Sequence, residues 1–115
     1  MDGNLIDSLK KDEFMYKHEN ERNYLPLYSP PKDIPLIKFK YRSTIDFYNY
    51  FITWVYIWVK KDTSDKKDFW FSPSYIGMNR VLGYIWIGSS EDIGAVEQIE
   101  IFDSEIDSFY PDLSS

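Results

Sequence analysis

The sequence contains no cysteine and a single histidine among its 115 residues. Without thiols there is no disulfide framework of the kind that staples small secreted domains, and no thiolate nucleophile. The lone His18 sits in the fully polar run from Lys17 to Arg22 (KHENER), solvated rather than shielded beside an apolar strand end, where acid–base chemistry would place it. A zinc site would need mostly carboxylate ligands, an unusual donor set. Glycine is also sparse. Gly77, Gly83, Gly88 and Gly94 form neither a Gly-Lys-Ser/Thr cradle nor a G-x-G-x-x-G turn, so no phosphate loop is indicated. There is no nucleophile elbow and no kinase element. These absences exclude the common catalytic classes, and the expectation is a protein that is not an enzyme and carries no cofactor or metal.

Long apolar runs are missing too. The longest, from Phe47 to Val59, has 13 residues and is interrupted by Asn49 and Thr53, well short of the roughly 20 that span a bilayer. The N-terminal stretch MDGNLIDSLKKDEF has no basic n-region followed by an apolar h-region, so no export signal is read there. A cytoplasmic, membrane-free protein is expected.

What is present in quantity is aromatic side chains, 19% of residues within a hydrophobic content of 43%. Such a chain offsets the entropy of ordering and folds, and its length suits one domain over residues 1–115. Four segments are expected: an N-terminal helical and polar stretch (1–23), a proline-rich loop (24–35), a sheet core (36–102) and an acidic C-terminal segment (103–115). Leu5, Ile6 and Leu9 recur at helical spacing. Pro26, Pro30, Pro31 and Pro35 enforce extended, loop-like backbone. Ile37, Phe39 and Tyr41 alternate with Lys38, Lys40 and Arg42, which reads as a strand with one apolar and one basic face. Ser43, Thr44 and Asp46 resemble a helix start. Residues 47–59 are ambiguous: a polar stripe at helical spacing competes with strand-favouring Trp, Val, Tyr and Ile, and a short helix to about residue 51 followed by a central strand to Val59 is the favoured reading. Phe69–Phe71, with Pro73 at a strand end or edge, and the runs 80–88 and 96–102 complete an antiparallel meander. The expected fold is α+β, a mainly antiparallel sheet of about four to five strands with one to three helices packed on one face.

The charges are distributed unevenly. All 13 Lys and Arg lie in residues 1–80, which net +2, while residues 81–115 hold 8 acids and no base, netting −8. Glu91, Asp92, Glu97, Glu100, Asp103, Glu105, Asp107 and Asp112 repel one another with no base nearby in sequence. One reading is an acidic tail without fixed structure. The other notes that Ile93, Val96, Ile99, Ile101, Phe102, Ile106, Phe109 and Tyr110 interleave with the acids, enough to dock the segment on the domain and hold a fixed negative field that steers a basic partner. Acid pairs suggest a hard-cation cage only weakly, since the glycine and the terminal glutamate of an EF-hand loop are lacking. Phe39, Tyr41, Trp54 and Tyr56 beside Lys38, Lys40 and Arg42 sketch a stacking surface for single-stranded nucleic acid, but a pI near 4.7 opposes it. No nucleic acid is expected as partner.

A small, acidic, aromatic-rich chain without catalytic apparatus resembles the bacterial immunity proteins that neutralise a cognate toxin, often a basic nuclease, in contact-dependent growth inhibition. The resemblance implies a monomer in a 1:1 complex with a basic toxin domain. From the charge pattern, Glu91, Asp92, Glu97, Glu100, Asp103, Glu105 and Asp107 are the candidate partners of toxin Lys and Arg, with Tyr84, Trp86, Phe102 and Tyr110 as buried anchors. Two alternatives use other chemistry: a phage-type mimic of nucleic acid acting on a host defence nuclease, and a carbohydrate-binding module presenting a row of exposed rings.

Overall fold

The computed structural model describes residues 25–87 and 96–113. These build one six-stranded antiparallel sheet: β1 (Phe39–Lys40), β2 (Val55–Val59), β3 (Phe69–Ile76), β4 (Arg80–Trp86), β5 (Val96–Phe102) and β6 (Ile106–Pro111), in the order β1-β6-β2-β3-β4-β5. The expected α+β architecture does not form. Among the described residues the helical elements are two short 3-10 turns, Thr44–Phe47 and Asp103–Glu105, and none is long and apolar enough to cross a membrane. The expected N-terminal helix lies outside the described residues.

The first 3-10 turn begins where the sequence marks it. Ser43 Oγ accepts the Ile45 N–H, and Asp46 reaches back to the Ser43 N–H, a reciprocal cap that satisfies free donors. It does not propagate because Tyr48, Asn49, Tyr50, Phe51 and Ile52 are weak helix formers, and Ile52 takes a positive φ of 63°. Left-handed backbone at a β-branched residue costs roughly 1–2 kcal/mol. Ile52 is 42% exposed and gives up little burial when replaced, so Ile52→Asn is expected to stabilise the fold by about 1 kcal/mol, seen as a higher urea midpoint.

Connectivity forces the sheet to coil. β5 ends beside the start of β4, Phe102 opposite Arg80, whereas β6 begins beside the end of β2, Ile106 opposite Val59. In a flat sheet those strands stand four spacings apart, about 19 Å, more than the roughly 14 Å that the four peptide units from Phe102 to Ile106 reach. The second 3-10 turn bridges the gap only because the sheet curls into a half-barrel. Asp103 donates its N–H to Asn79 O (2.9 Å) at the β3–β4 tip, while Glu105 O accepts the Lys60 N–H (2.8 Å) just past β2. The chain after β1 joins the same corner: Tyr41 donates its N–H to Asp107 O (3.2 Å) and its hydroxyl to Asp103 Oδ1.

Burial first, then the bond to Asp103 and the charges of Asp103 and Asp46, push the Tyr41 hydroxyl well above its ordinary value of 10.0. A raised folded-state value stabilises fully below the unfolded one and is lost as pH rises above it. Stability is therefore expected to fall above pH 10.0, and Tyr41→Phe should flatten that fall in melting temperature measured against pH.

The concave face holds the main core, including Val55, Ile57, Phe71, Ile76, Val81, Ile101 and Ile106. Phe47, fully buried, plugs its open side from the first 3-10 turn, with ring centroids 5.6 Å from both Tyr41 and Phe109 and 6.3 Å from Phe71. Two irregularities keep the alternation in phase. A register shift at Trp58/Val59 leaves Asp107 unpaired with β2 and turns Ile106 into the core. A second shift, between Pro73 and Tyr75, follows Pro73, which lies inside β3 rather than at its end. Proline fits there because β2 pairing stops at Phe71, so no ladder donor is needed on that side.

Candidate functional site

The C-terminal acids are part of the domain. Residues 103–113 supply the second 3-10 turn and β6, which inserts between β1 and β2. That insertion scatters the acids. Glu100 accepts from Arg80 Nη1 (2.9 Å), and Glu105 accepts from Lys66 Nζ (2.8 Å) and from the Phe102 N–H (3.0 Å). Burial raises the Glu105 carboxyl, but the Lys66 and Phe102 bonds outweigh it and hold it below its ordinary value. Asp103 receives the Tyr41 hydroxyl. Asp107 accepts from Ser108 Oγ (2.9 Å) and lines an open cleft with Lys38, Lys40 and Lys60. Glu97 is exposed on β5. Glu91 and Asp92 lie outside the described residues. Bases that are remote in sequence are thus adjacent in space, and the segment does not present one unbroken acidic face.

A smaller surface does bring predicted residues together. In the β4–β5 ladder Arg80, Leu82, Tyr84 and Trp86 oppose Phe102, Glu100, Gln98 and Val96. Strand alternation puts these eight on the convex face, because Val81, Ile85, Ile99 and Ile101 pack into the concave core. Tyr84, Trp86, Phe102 and Glu100 therefore share one surface. Phe102 is 44% exposed, while Glu97, opposite Ile85, is exposed on the other face of the same strand. β5 is an edge strand seven residues long, paired only with β4 among the described residues. Its open ladder can hydrogen-bond an added strand. Tyr110 belongs elsewhere, on β6 opposite Tyr56.

The basic residues around β1 form the second concentration of charge. Lys38 Nζ lies 5.0 Å from the Trp58 ring centroid, a cation–π arrangement, and Arg42 is held by Asp46 at 2.9 Å. The cleft they border with Lys40 and Lys60 measures about 480 Å³. It is no stacking platform for bases: Tyr41, Trp54 and Tyr56 are buried, and Phe39 leans on Phe109 and Tyr110. Among the described residues no group of three or more His, Asp or Glu is placed to hold a metal ion.

Sequence reasoning missed the convex aromatic layer. Trp54, Tyr56 and Trp58 alternate with Val55, Ile57 and Val59, so one face of β2 is wholly aromatic, and Trp70 joins it. The proline-rich segment 25–37 crosses this layer, with Trp54 donating its Nε1–H to Tyr28 O (2.7 Å). The signal was present in the strict alternation of the two residue classes. Comparison of the chain with protein-family models, curated proteins and solved structures finds no match.

Proposed function

We propose that this chain is a binding protein that neutralises a basic protein partner, as the small acidic immunity proteins it resembles do, and that the partner docks on the β4–β5 hairpin. The observation that carries the reading is the acidic edge: a seven-residue strand that pairs on one side only among the described residues, bearing Glu97 and Glu100, beside half-buried or exposed Tyr84, Trp86 and Phe102. An open edge supplies main-chain hydrogen bonds, aromatic side chains supply the anchors that dominate interface energies, and acids steer a cationic partner and reject anionic ones. A toxin domain acting on nucleic acid is basic where its substrate binds, so a negative edge placed against that site blocks it. A 1:1 complex in the cytoplasm, with no chemistry performed by this chain, completes the proposal.

The rival readings draw less support. Among the described residues Glu105 pairs with Lys66 and Asp103 takes the Tyr41 hydroxyl, both away from the β5 edge, so the acids there form no evenly spaced row of the kind a nucleic-acid mimic needs. The convex rings Tyr56 and Trp70 are only 6% and 8% exposed, unlike the open platform a carbohydrate-binding module stacks on sugar.

The test is paired capture at low salt from the native lysate, with the wild-type chain and Glu97→Lys/Glu100→Lys as baits and mass spectrometry as readout. A basic protein held by the wild type, released by added salt and lost with the double variant is the expected result. Equal capture by both baits would show that these acids are only a solvated edge.

A further inference from the structure

The described basic residues fall into two groups. Arg42, Lys61, Lys66 and Arg80 are each held by a carboxylate at 2.8 or 2.9 Å. Lys32, Lys38, Lys40, Lys60 and Lys67 make no ion pair among the described residues. Lys38, Lys40 and Lys60 belong to this second group and line one cleft of about 480 Å³. A chain of net charge −6 has acids enough to neutralise them, yet they stand together. Like charges left side by side repel and cost stability unless an anion offsets them.

The β1–β6–β2 register assembles the cluster. Lys40 opposes Ser108, and Ser108 opposes Trp58, so Lys38 and Lys40 rise from the convex face on one side of β6. Lys60 follows β2 on the other side, two strand spacings or about 10 Å away. Lys38 reaches across β6 until its Nζ lies 5.0 Å from the Trp58 ring centroid, which holds its charge over the cleft. Asp103 and Asp107 border the cleft as well, but both are turned to hydroxyls, those of Tyr41 and Ser108. Beyond Lys60, Lys61 is taken by Asp68, so the unpaired lysines are confined to the stretch between β1 and Lys60.

We propose that this cleft binds a multiply charged phosphate group, of the kind carried by pyrophosphate or by the terminal phosphates of a nucleoside diphosphate. Each ammonium offers three donors on a flexible stem and engages phosphate oxygens as a point charge. Asp103 and Asp107 offset part of the lysines' field, so a monoanion gains little, and an anion with two or more charges spread over several oxygens is favoured. The volume lies in the range of small-ligand clefts and exceeds what a single phosphate fills. A nucleotide base finds no open ring here, because Trp58 is only 9% exposed, so the phosphates carry the binding. The site lies at the β1 edge of the sheet, apart from β5, and does not rest on the acidic-edge reading.

The test is a calorimetric titration of pyrophosphate into the full chain at constant ionic strength. Saturable one-to-one binding is expected, together with a rise in the urea midpoint when pyrophosphate is present. Lys40→Gln/Lys60→Gln alters two exposed side chains without partners, so it should fold as the wild type does, weaken binding at least about tenfold and abolish the rise in midpoint. Lys32→Gln/Lys67→Gln removes the same charge outside the cleft and should change affinity by less than about twofold. ADP should bind comparably to pyrophosphate. Single-stranded oligodeoxythymidine without a terminal phosphate, whose diesters carry one charge each, should bind more weakly. Absence of saturation, equal loss in the two double variants, or tighter binding of the oligonucleotide than of pyrophosphate each overturns the proposal.

Discussion

Gly83→Ala is expected to destabilise the domain by about 3 kcal/mol, read from urea denaturation. Gly83 lies in β4 opposite Pro73, and a Cβ there would stand 2.1 Å from Ser72 O and 2.7 Å from the Phe71 ring. The ring could turn aside, but the carbonyl is backbone of the paired strand, so β3 and β4 would have to move apart. The glycine thus sets how closely the two strands approach where β3 bends after Pro73. The double variant Gly83→Ala/Phe71→Leu separates the two contacts. It should recover little of the loss if the carbonyl clash dominates, and most of it if the ring is the obstacle.

Phe47→Ala is expected to cost about 4 kcal/mol. Phe47 is fully buried among Tyr41, Phe71 and Phe109, and a half-barrel has an open side that only such a plug can seal. The 3-10 turn bearing it is held by the Ser43–Asp46 cap and by Thr44 Oγ, which donates to Gly77 O at 2.6 Å. The surroundings cannot collapse into the void without uncurling the sheet. Phe47→Leu, which keeps most of the volume, should lose less than half as much, and the difference between the two variants in denaturant midpoint isolates the cavity contribution.

The parts of this fold that were legible in the sequence are those fixed locally. The alternation in 96–102 and the apolar runs ending at Val59 and beginning at Arg80 mark strands, and Ser43 with Asp46 marks a capped turn, because each depends on neighbours within a few residues. The helical content is not legible locally because the polar stripe Asp46, Asn49 and Thr53 mimics helical spacing in a stretch whose aromatic and β-branched residues favour extended backbone. β6 is not legible for two reasons. Its acids resemble a solvated charged segment, and the bulge at Asp107 breaks the period of two, so Ile106, Ser108, Phe109 and Pro111 are buried without simple alternation.

Charge placement was the least legible property. The last third of the chain has no Lys or Arg of its own, yet Glu105 meets Lys66, Glu100 meets Arg80, and Asp107 faces Lys38 and Lys40. These meetings are set by which strand lies beside which, a non-local outcome of folding β6 between β1 and β2. What survives of the acidic surface is narrower than the sequence suggests: the β5 edge with Glu97 and Glu100, and the ring-bearing face beside it. The proposed anchors Tyr84, Trp86 and Phe102 are legible as aromatic neighbours of the acids, and the β4–β5 register is what places them together with Glu100.

The most direct test of the docking proposal is amide hydrogen exchange of the chain alone and in complex with the basic protein proposed as its partner. If the partner adds to the open side of the sheet, amides across Val96–Phe102 should gain protection on binding, more than those of any other strand. Protection confined to other strands, with the β5 amides exchanging as fast in the complex as in the free chain, would contradict it.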